Sequence, residues 1–326
     1  MPCVSVIVPC YNEELTIPLL LEAIYAQTFR RTEMEVIIAD GMSTDSTLDQ
    51  ISAFQSKHPD LVVHVVLNKR HTIPAGLNTA IETANGDYIV RLDAHSMPRP
   101  DYIANCVSDL QCGLGEAVGG VWEIVPGGPS WIAKAIAASA SHPLGVGDAR
   151  YRLAAHPGSV DTVPFGAFRR SIIDKIGPFN EELLTNEDYE FNTRVRQAGG
   201  IVWLDPAIRS IYFARPTLLA LARQYWRYGY WKARMLRRYP RTLRWRQALP
   251  PLFILSLIIL GLLAFFIPLA RSLLVIFITL YILVLILAGV QLALRNRNFS
   301  WIIGVPLSMA TMHLTWGSAF LWSLIR

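Results

Sequence analysis

The sequence predicts an α/β fold with a mostly parallel central sheet, followed by an interfacial helix and about three C-terminal transmembrane helices. Three observations carry this reading. Short β-branched runs alternate with longer helix-periodic segments over residues 1–125, no acidic residue follows Asp205, and three long uncharged runs fill the C-terminal region. The composition agrees: 52% of the 326 residues are hydrophobic and only 17% are charged, which excludes a disordered chain. The net charge of +5 divides unevenly. Residues 1–205 hold all 25 acids against 15 Lys and Arg, a net of −10, whereas residues 206–326 hold the other 15 basic residues and no acid, a net of +15.

Taken in order, the strand-like runs are Val4–Val8, Glu35–Ala39, Leu61–Leu67 and Tyr88–Leu92, with a fifth near Ala117–Val121. Between them Glu13–Gln27, Thr47–Lys57 and Ile73–Ala84 place apolar residues at helical spacing. The N-terminal run lacks a basic region before it, so it reads as a buried strand and not as a signal peptide. The four cysteines, Cys3, Cys10, Cys106 and Cys112, have no CxxC spacing and are expected to be packed thiols.

The C-terminal runs, Leu252–Ala270, Ser272–Leu294 and Ile302–Ile325, hold 19, 23 and 24 residues. As helices they would extend about 28, 34 and 36 Å, against about 30 Å of hydrocarbon. The first is the weakest, because Pro268 and Arg271 crowd its end. Basic residues precede the first run and separate the second from the third at Arg295 and Arg297. The positive-inside rule then places the N-terminal part in the cytoplasm and the C-terminus outside, in a multi-pass protein of a bacterial-type inner membrane. The stretch before the first run, with Gln224, Tyr225, Trp226, Arg227, Tyr228, Tyr230 and Trp231, mixes aromatic and basic residues as membrane-interface helices do. Nucleic acid, the other partner of such mixtures, is excluded because the stretch leads directly into membrane helices. The expected organisation is a cytoplasmic domain over 1–215, an interfacial segment over 216–249, and a membrane domain over 250–326.

In a parallel sheet, ligands bind beyond the carboxyl ends of the strands, so the strand-end loops are where chemistry is sought. After the first strand, Asn12 followed by Glu13 and Glu14 suits a helix N-cap with charges matched to the helix dipole. After the second, Asp40-Gly41-Met42-Ser43-Thr44-Asp45 suits either a ligand loop or an Asx turn with an N-cap. After the fourth stand Asp93 and His95. Read as extended chain they share one side and can face one divalent cation; the alternative is a strand-end acid near a surface histidine. Two ligands are too few for a metal, so substrate phosphates would supply the rest. Further on, Asn186-Glu187-Asp188 fits a helix N-cap and first turn as well as a catalytic pair. Gly166 either admits a ligand close to the backbone or bends a strand, and Asn78 and Asp87 read as structural.

In order and spacing, SVIVPCYNEE, EVIIADGMSTDST, GLNTAIETANGDYIVRLDAH and VPFGAFRRSIIDKIGPFNEELLTNEDYEFNTRVRQAGG resemble the inverting glycosyltransferases of family 2, over roughly residues 3 to 232. LDAH in place of an acidic D-x-D, with RQYWRYGYW and membrane helices after it, is most similar to the succinoglycan-biosynthesis glucosyltransferase branch. The resemblance implies a GT-A nucleotide-binding domain in which Asp40 reads the base, typically uracil, while Pro9, Tyr11 and Glu13 surround base and ribose. It implies that Asp93 and His95 hold the metal on the donor diphosphate, and that Asp188, with Glu187 beside it, supplies the base for the acceptor hydroxyl. The imidazole favours Mn²⁺ over Mg²⁺. Arg223 and Arg227 match a segment that touches a donor or lipid-carrier diphosphate in related enzymes. The implied activity is transfer of a hexose from a nucleotide sugar, UDP-linked, to a polyprenyl-diphosphate-linked saccharide in exopolysaccharide assembly. The alternatives are a nucleotidyltransferase, which has no need of a late carboxylate base, and a non-enzymatic membrane scaffold of polysaccharide export.

Overall fold

The computed structural model describes residues 3–153 and 156–326. Its strands are β1 (Val4–Cys10), β2 (Met34–Asp40), β3 (Val62–Leu67), β4 (Tyr88–Arg91), β5 (Met97–Pro98), β6 (Ala117–Val125), β7 (Gly158–Ser159), β8 (Ala167–Arg169) and β9 (Val202–Phe213). The helices of the α/β part are α1 (Ile17–Tyr25), α2 (Thr47–Lys57), α3 (Ile73–Thr83) and α4 (Tyr102–Gln111), followed by α5 (Trp131–Ala140), α6 (Pro143–Val146), α7 (Ile172–Ile176) and α8 (Glu187–Gln197). Beyond β9 come α9 (Leu218–Arg238), α10 (Trp245–Leu263), α11 (Pro268–Asn296) and α12 (Trp301–Ile325). The chain divides into two compact units, Met1–Glu123 with Ala154–Tyr212, and Ile124–Leu153 with Phe213–Arg326. Residues 124–153, expected within a continuous domain over 1–215, therefore group with the C-terminal helices. The reason is the small apolar face of α5, whose Ala135 is buried with Leu285, Ala288, Val305 and Met309.

In the first unit the sheet runs in the order β3-β2-β1-β4-β8-β6-β9-β5, with β7 paired to β9. β1 to β4 pair in parallel. The expected fifth parallel strand, β6, does not adjoin β4, because β8 inserts between them and pairs antiparallel to both. The sheet is mixed, and the sequence reading of a mostly parallel sheet holds for its first half. β1 and β2 are mostly apolar and almost wholly buried because helices cover both faces, and Val4, Val6, Val8, Val36 and Ile38 are sealed against Ile17, Leu20, Leu21 and Ile24 of α1. Each such side chain contributes roughly 1.5–3 kcal/mol of apolar burial. At the amino ends of the strands, Ser5 donates to Glu35 at 2.6 Å and Gly86 N donates to Ser5 at 2.8 Å, which pins the turn before β4. The carboxyl ends are left to the loops.

In the second unit, α10 and α11 are long and apolar enough to cross a membrane, and most of their apolar side chains are exposed. The boundary between them differs from the sequence reading. Pro268 does not end the first helix but starts the second, a first-turn position where its missing N–H costs nothing. Arg271 then reaches back to cap α10, donating to Ala264 O at 2.6 Å. The expected third span corresponds to α12, which is more polar, with Ser308, Thr311, His313 and Thr315 along it. It also buries much of its surface: Gly229 of α9 lies against Trp316 O, and Arg237 Nη2 donates to Ser323 O at 2.6 Å.

Candidate active site

Three strand-end segments of the first unit converge. The loops after β1 and β2 are laced together by their own polar groups. Asn12 N donates to Ser43 Oγ at 2.9 Å, and Thr44 N returns a bond to Asn12 Oδ1 at 2.8 Å. Glu13 N donates to Thr47 Oγ1 at 2.8 Å, and Ser46 N to Glu14 Oε2 at 3.0 Å. Asn12 is therefore not the N-cap expected of it: α1 starts later, at Ile17, and Asn12 holds a left-handed backbone at φ +52°. Asp40, 3% exposed at the end of β2, accepts from Ser43 Oγ at 2.6 Å and Ser43 N at 3.1 Å. This is the Asx turn anticipated as one alternative, and it fixes the carboxylate at the mouth of the loop. Tyr11 is half exposed and meets the His71 ring edge-on with centroids 6.0 Å apart. His71, also at a positive φ of 54°, escaped the sequence reading because it follows the edge strand β3, whose loop has no acidic signature.

The Asp93–His95 segment is not extended. β4 ends at Arg91, and Ser96 N donates to Asp93 O at 2.9 Å, closing a turn with Ala94 and His95 at its centre. The alternation that would align Asp93 with His95 is thus lost. A different pairing replaces it: His95 Nδ1 lies 3.1 Å from Glu13 Oε1. Burial alone would raise the Glu13 carboxyl, but hydrogen bonds from His95 and Thr16 outweigh it and hold it below the usual glutamate range. Among the described residues no preformed group of three or more metal-ligating side chains exists. One carboxylate and one imidazole on a single turn, with Glu13 behind, fit a cation that arrives with most of its shell on a diphosphate, and fit no self-sufficient metal centre.

Arg91 and α8 complete the site. Arg91, 3% exposed, directs Nη2 to Glu187 Oε1 at 2.7 Å and to Asp93 Oδ1 at 3.1 Å. Glu187 is itself 6% exposed, whereas its neighbour Asp188 remains partly accessible. Burial first, and then the Glu187 charge, push the Asp188 carboxyl up to about 7, with Arg91 acting in the opposite direction. Asn186 occupies the N-cap position, but in a left-handed conformation (φ +70°) and without the side-chain cap the sequence suggested. α8 is held instead by Tyr189 OH donating to Asp161 at 3.1 Å and Asn192 Nδ2 to Thr162 Oγ1 at 3.0 Å. Phe165 and Gly166, at φ +60° and +85°, bring Gly166 O within 3.0 Å of Arg91 N, and the Phe165 ring lies 5.8 Å from Trp122. Such backbone strain in non-glycine residues collects at functional sites. Asn78 is structural as expected, bonding Phe179 N and O at 2.8 and 2.9 Å. Pro9 lies in β1, and Arg223 and Arg227 lie one turn apart on α9 in the second unit.

Comparison with known proteins agrees with this arrangement. The chain is 28% identical, over its full length and 98% of the other, to a dolichyl N-acetyl-alpha-D-glucosaminyl phosphate 3-beta-D-2,3-diacetamido-2,3-dideoxy-beta-D-glucuronosyltransferase of Methanococcus voltae. It is 27% identical to the succinoglycan biosynthesis protein ExoA of Rhizobium meliloti (strain 1021), over 97% of this chain and 93% of that one. Among solved structures, the mannosyltransferase PcManGT of Pyrobaculum calidifontis, crystallised with GDP-Man and Mn²⁺, superposes with a TM-score of 0.63 at 22% identity, over 95% of this chain and 87% of that one, and shares the GT-A fold. The family model for glycosyl transferase family 2 matches residues 5–177, which hold the β1, β2 and β4 loops just described, and the chain belongs to that family.

Proposed function

We propose that the protein transfers a hexose from a nucleoside-diphosphate sugar, with UDP as the nucleotide, to a polyprenyl-diphosphate-linked saccharide at the inner face of the membrane, with inversion at the anomeric carbon. The observation that carries this reading is the meeting of a buried base-side carboxylate, Asp40, with a diphosphate-side turn at Asp93 and a carboxyl of raised pKa at Asp188. Pro9, Tyr11 and Glu13 enclose the nucleoside. Asp93 and His95 would hold a divalent cation, preferentially Mn²⁺, which when bound offsets the charge developing on the leaving diphosphate. Asp188 accepts the acceptor hydroxyl proton as that oxygen bonds the anomeric carbon and the bond to the diphosphate breaks. Glu187, turned into Arg91, does not take this proton.

The lipid-linked acceptor is supported by the apolar α10 and α11 and by the relatives, whose names place them in dolichyl-phosphate-linked and succinoglycan chemistry. For Arg223 and Arg227 we propose membrane docking with α9 first, and contact with a donor or lipid-carrier diphosphate in addition. The test is a panel of nucleotide sugars with Mn²⁺, using membranes that contain the full chain. Acceptor-dependent release of UDP is expected. Release of pyrophosphate would instead indicate a nucleotidyltransferase, and no release with any donor would leave the scaffold reading.

A further inference from the structure

Arg91 is the least solvated cation of the first unit's site, and its partners set it apart from an arginine that only holds the fold. Arg194 is such an arginine: its guanidinium closes the α7–α8 connection by donating to the carbonyls of Ile176, Gly177 and Pro178 as well as to Glu190. Among the described residues the Arg91 guanidinium bonds no carbonyl. Its Nη2 is divided between Glu187 and Asp93, groups 96 and 2 residues away in sequence, and its Nε and Nη1 have no hydrogen-bond partner among the described residues. Leaving two buried donors unmatched destabilises a protein. Apolar side chains in place of the whole group, Arg91 with both carboxylates, would pack there at lower cost, whereas removing Arg91 alone strands Glu187 and Asp93.

We infer that Arg91 is a positioning residue for transfer: it joins the Asp93 turn to the first residue of α8 and so fixes where Asp188 stands relative to the donor diphosphate. The inference rests on the glycosyltransferase reading above. Asp93 Oδ1 accepts from Arg91, which fixes the orientation of that carboxylate. Glu187 Oε1 is engaged by the same nitrogen, so the start of α8 cannot turn without breaking the 2.7 Å bond. The Arg91 charge also opposes the burial that favours a protonated Asp188.

A charge-balanced cycle on the full-length protein separates this role from a structural one. Arg91→Met strands two carboxylates and is expected to lower the melting temperature by about 10 °C. Arg91→Met combined with Glu187→Gln removes one stranded charge and is expected to recover at least half of that loss. Transfer should not follow. With the nucleotide sugar that the wild type turns over, both variants are expected to lose about 100-fold or more in kcat, while UDP binding measured with Mn²⁺ by calorimetry changes less than about 3-fold. Arg91→Lys, which keeps the charge but not the fork, should retain more kcat than Arg91→Met. Recovery of kcat together with stability in the double variant would overturn the inference, as would a loss of UDP affinity in step with kcat. The melting cycle needs no substrate. A wild type that binds UDP but transfers nothing would count against the transferase reading, whereas an active wild type with an active double variant removes only the role of Arg91.

Discussion

At the scale of single residues, the site depends on two neighbouring carboxyls given unlike surroundings. Glu187 is paired with a buried guanidinium, and Asp188 is raised to about 7 by burial and by Glu187. A base acts when ionised, so kcat/KM should rise with pH through about 7 and level off above it. Asp188→Asn should remove that limb and lower kcat by about 10²–10⁴-fold, with UDP affinity nearly unchanged; a parallel fall in affinity would reassign the residue to donor binding. The same shift acts on stability. A folded-state pKa above the unfolded value means that the native state holds the proton more tightly, so the benefit is complete below about pH 4 and lost as pH rises through about 7. Asp188→Asn should therefore melt higher than wild type at pH 8, by roughly 1–2 kcal/mol after allowance for partial solvation, and match it near pH 4. His95 gives a prediction about metal choice: Mn²⁺ should support more activity than Mg²⁺, and His95→Asp should narrow the gap. Asp40, Asp93 and Asp188 could be singled out in the sequence because each stands in a local polar motif, although only the family resemblance attached roles to them. Arg91 stood beside Asp93 in plain view, but its role depends on a partner 96 residues away, and local spacing carries no trace of that pairing.

At the scale of elements, the first half of the sheet was legible and the second was not, for a physical reason. β1 to β4 alternate with helices, so periodicity reveals them, and the parallel order β3-β2-β1-β4 follows from short right-handed crossovers. β8 has only three residues and enters between β4 and β6 from a segment with no period of its own. The neighbouring strands meet with almost no space: a Cβ on Gly120 of β6 would fall on Ile208 O of β9. Backbone cannot yield as a side-chain tip can, so Gly120→Ala should be strongly destabilising, by more than the roughly 1–3 kcal/mol of ordinary overpacking, whereas Ala135→Gly on α5 should cost only about 1 kcal/mol. Thermal melts of the two variants test the contrast, and a Gly120→Ala protein as stable as wild type would mean that β6 and β9 do not approach in this way. The loops were half legible. Their polar density was visible, but Asn12 and Asn186 were both read as helix caps. Both take a left-handed backbone; Asn186 keeps the N-cap position without a side-chain cap, whereas the Asn12 side chain is spent on the neighbouring loop, a long-range bond that outcompetes the local one.

For the whole molecule, the division between an acid-containing and an acid-free part sets which surfaces can meet lipid, and the packing of the second unit sharpens how. α9 carries Arg223, Arg227, Lys232, Arg234, Arg237 and Arg238, too many charges for the hydrocarbon, and the charge pattern predicts that it lies in the interface on the cytoplasmic side. α12 follows it: Gly229 lies against Trp316 O, and eight residues further along α9, Arg237 meets Ser323 O. Gly317 of α12 lies against Pro250 O near the start of α10, and Gly289 near the end of α11 lies close to Trp301 O at the start of α12. The beginning of α10 and the end of α11 are the two ends flanked by Arg244 and Arg246 and by Arg295 and Arg297, the cytoplasmic ends of a hairpin under the positive-inside rule. α12 thus leans from Gly289 near the end of α11 to the middle of that helix, where His313 Nδ1 lies 3.1 Å from Tyr281 OH, while it stays beside the charged α9 along its length; its polar Ser308, Thr311 and Thr315 suit such an oblique position better than a crossing. Hydropathy and charge counting lead to three crossings and an external C-terminus; this packing predicts two crossings and a C-terminus on the α9 side. Fused after Arg326, alkaline phosphatase, which is active only after export, should stay inactive, while a fluorescent protein that matures in the cytoplasm should be bright. A tag in the turn at Phe265–Ile267 should be reached from outside. An active phosphatase at the C-terminus would restore the third crossing and require α12 to part from Arg237, because Ser323 and that guanidinium would then lie on opposite faces of the membrane.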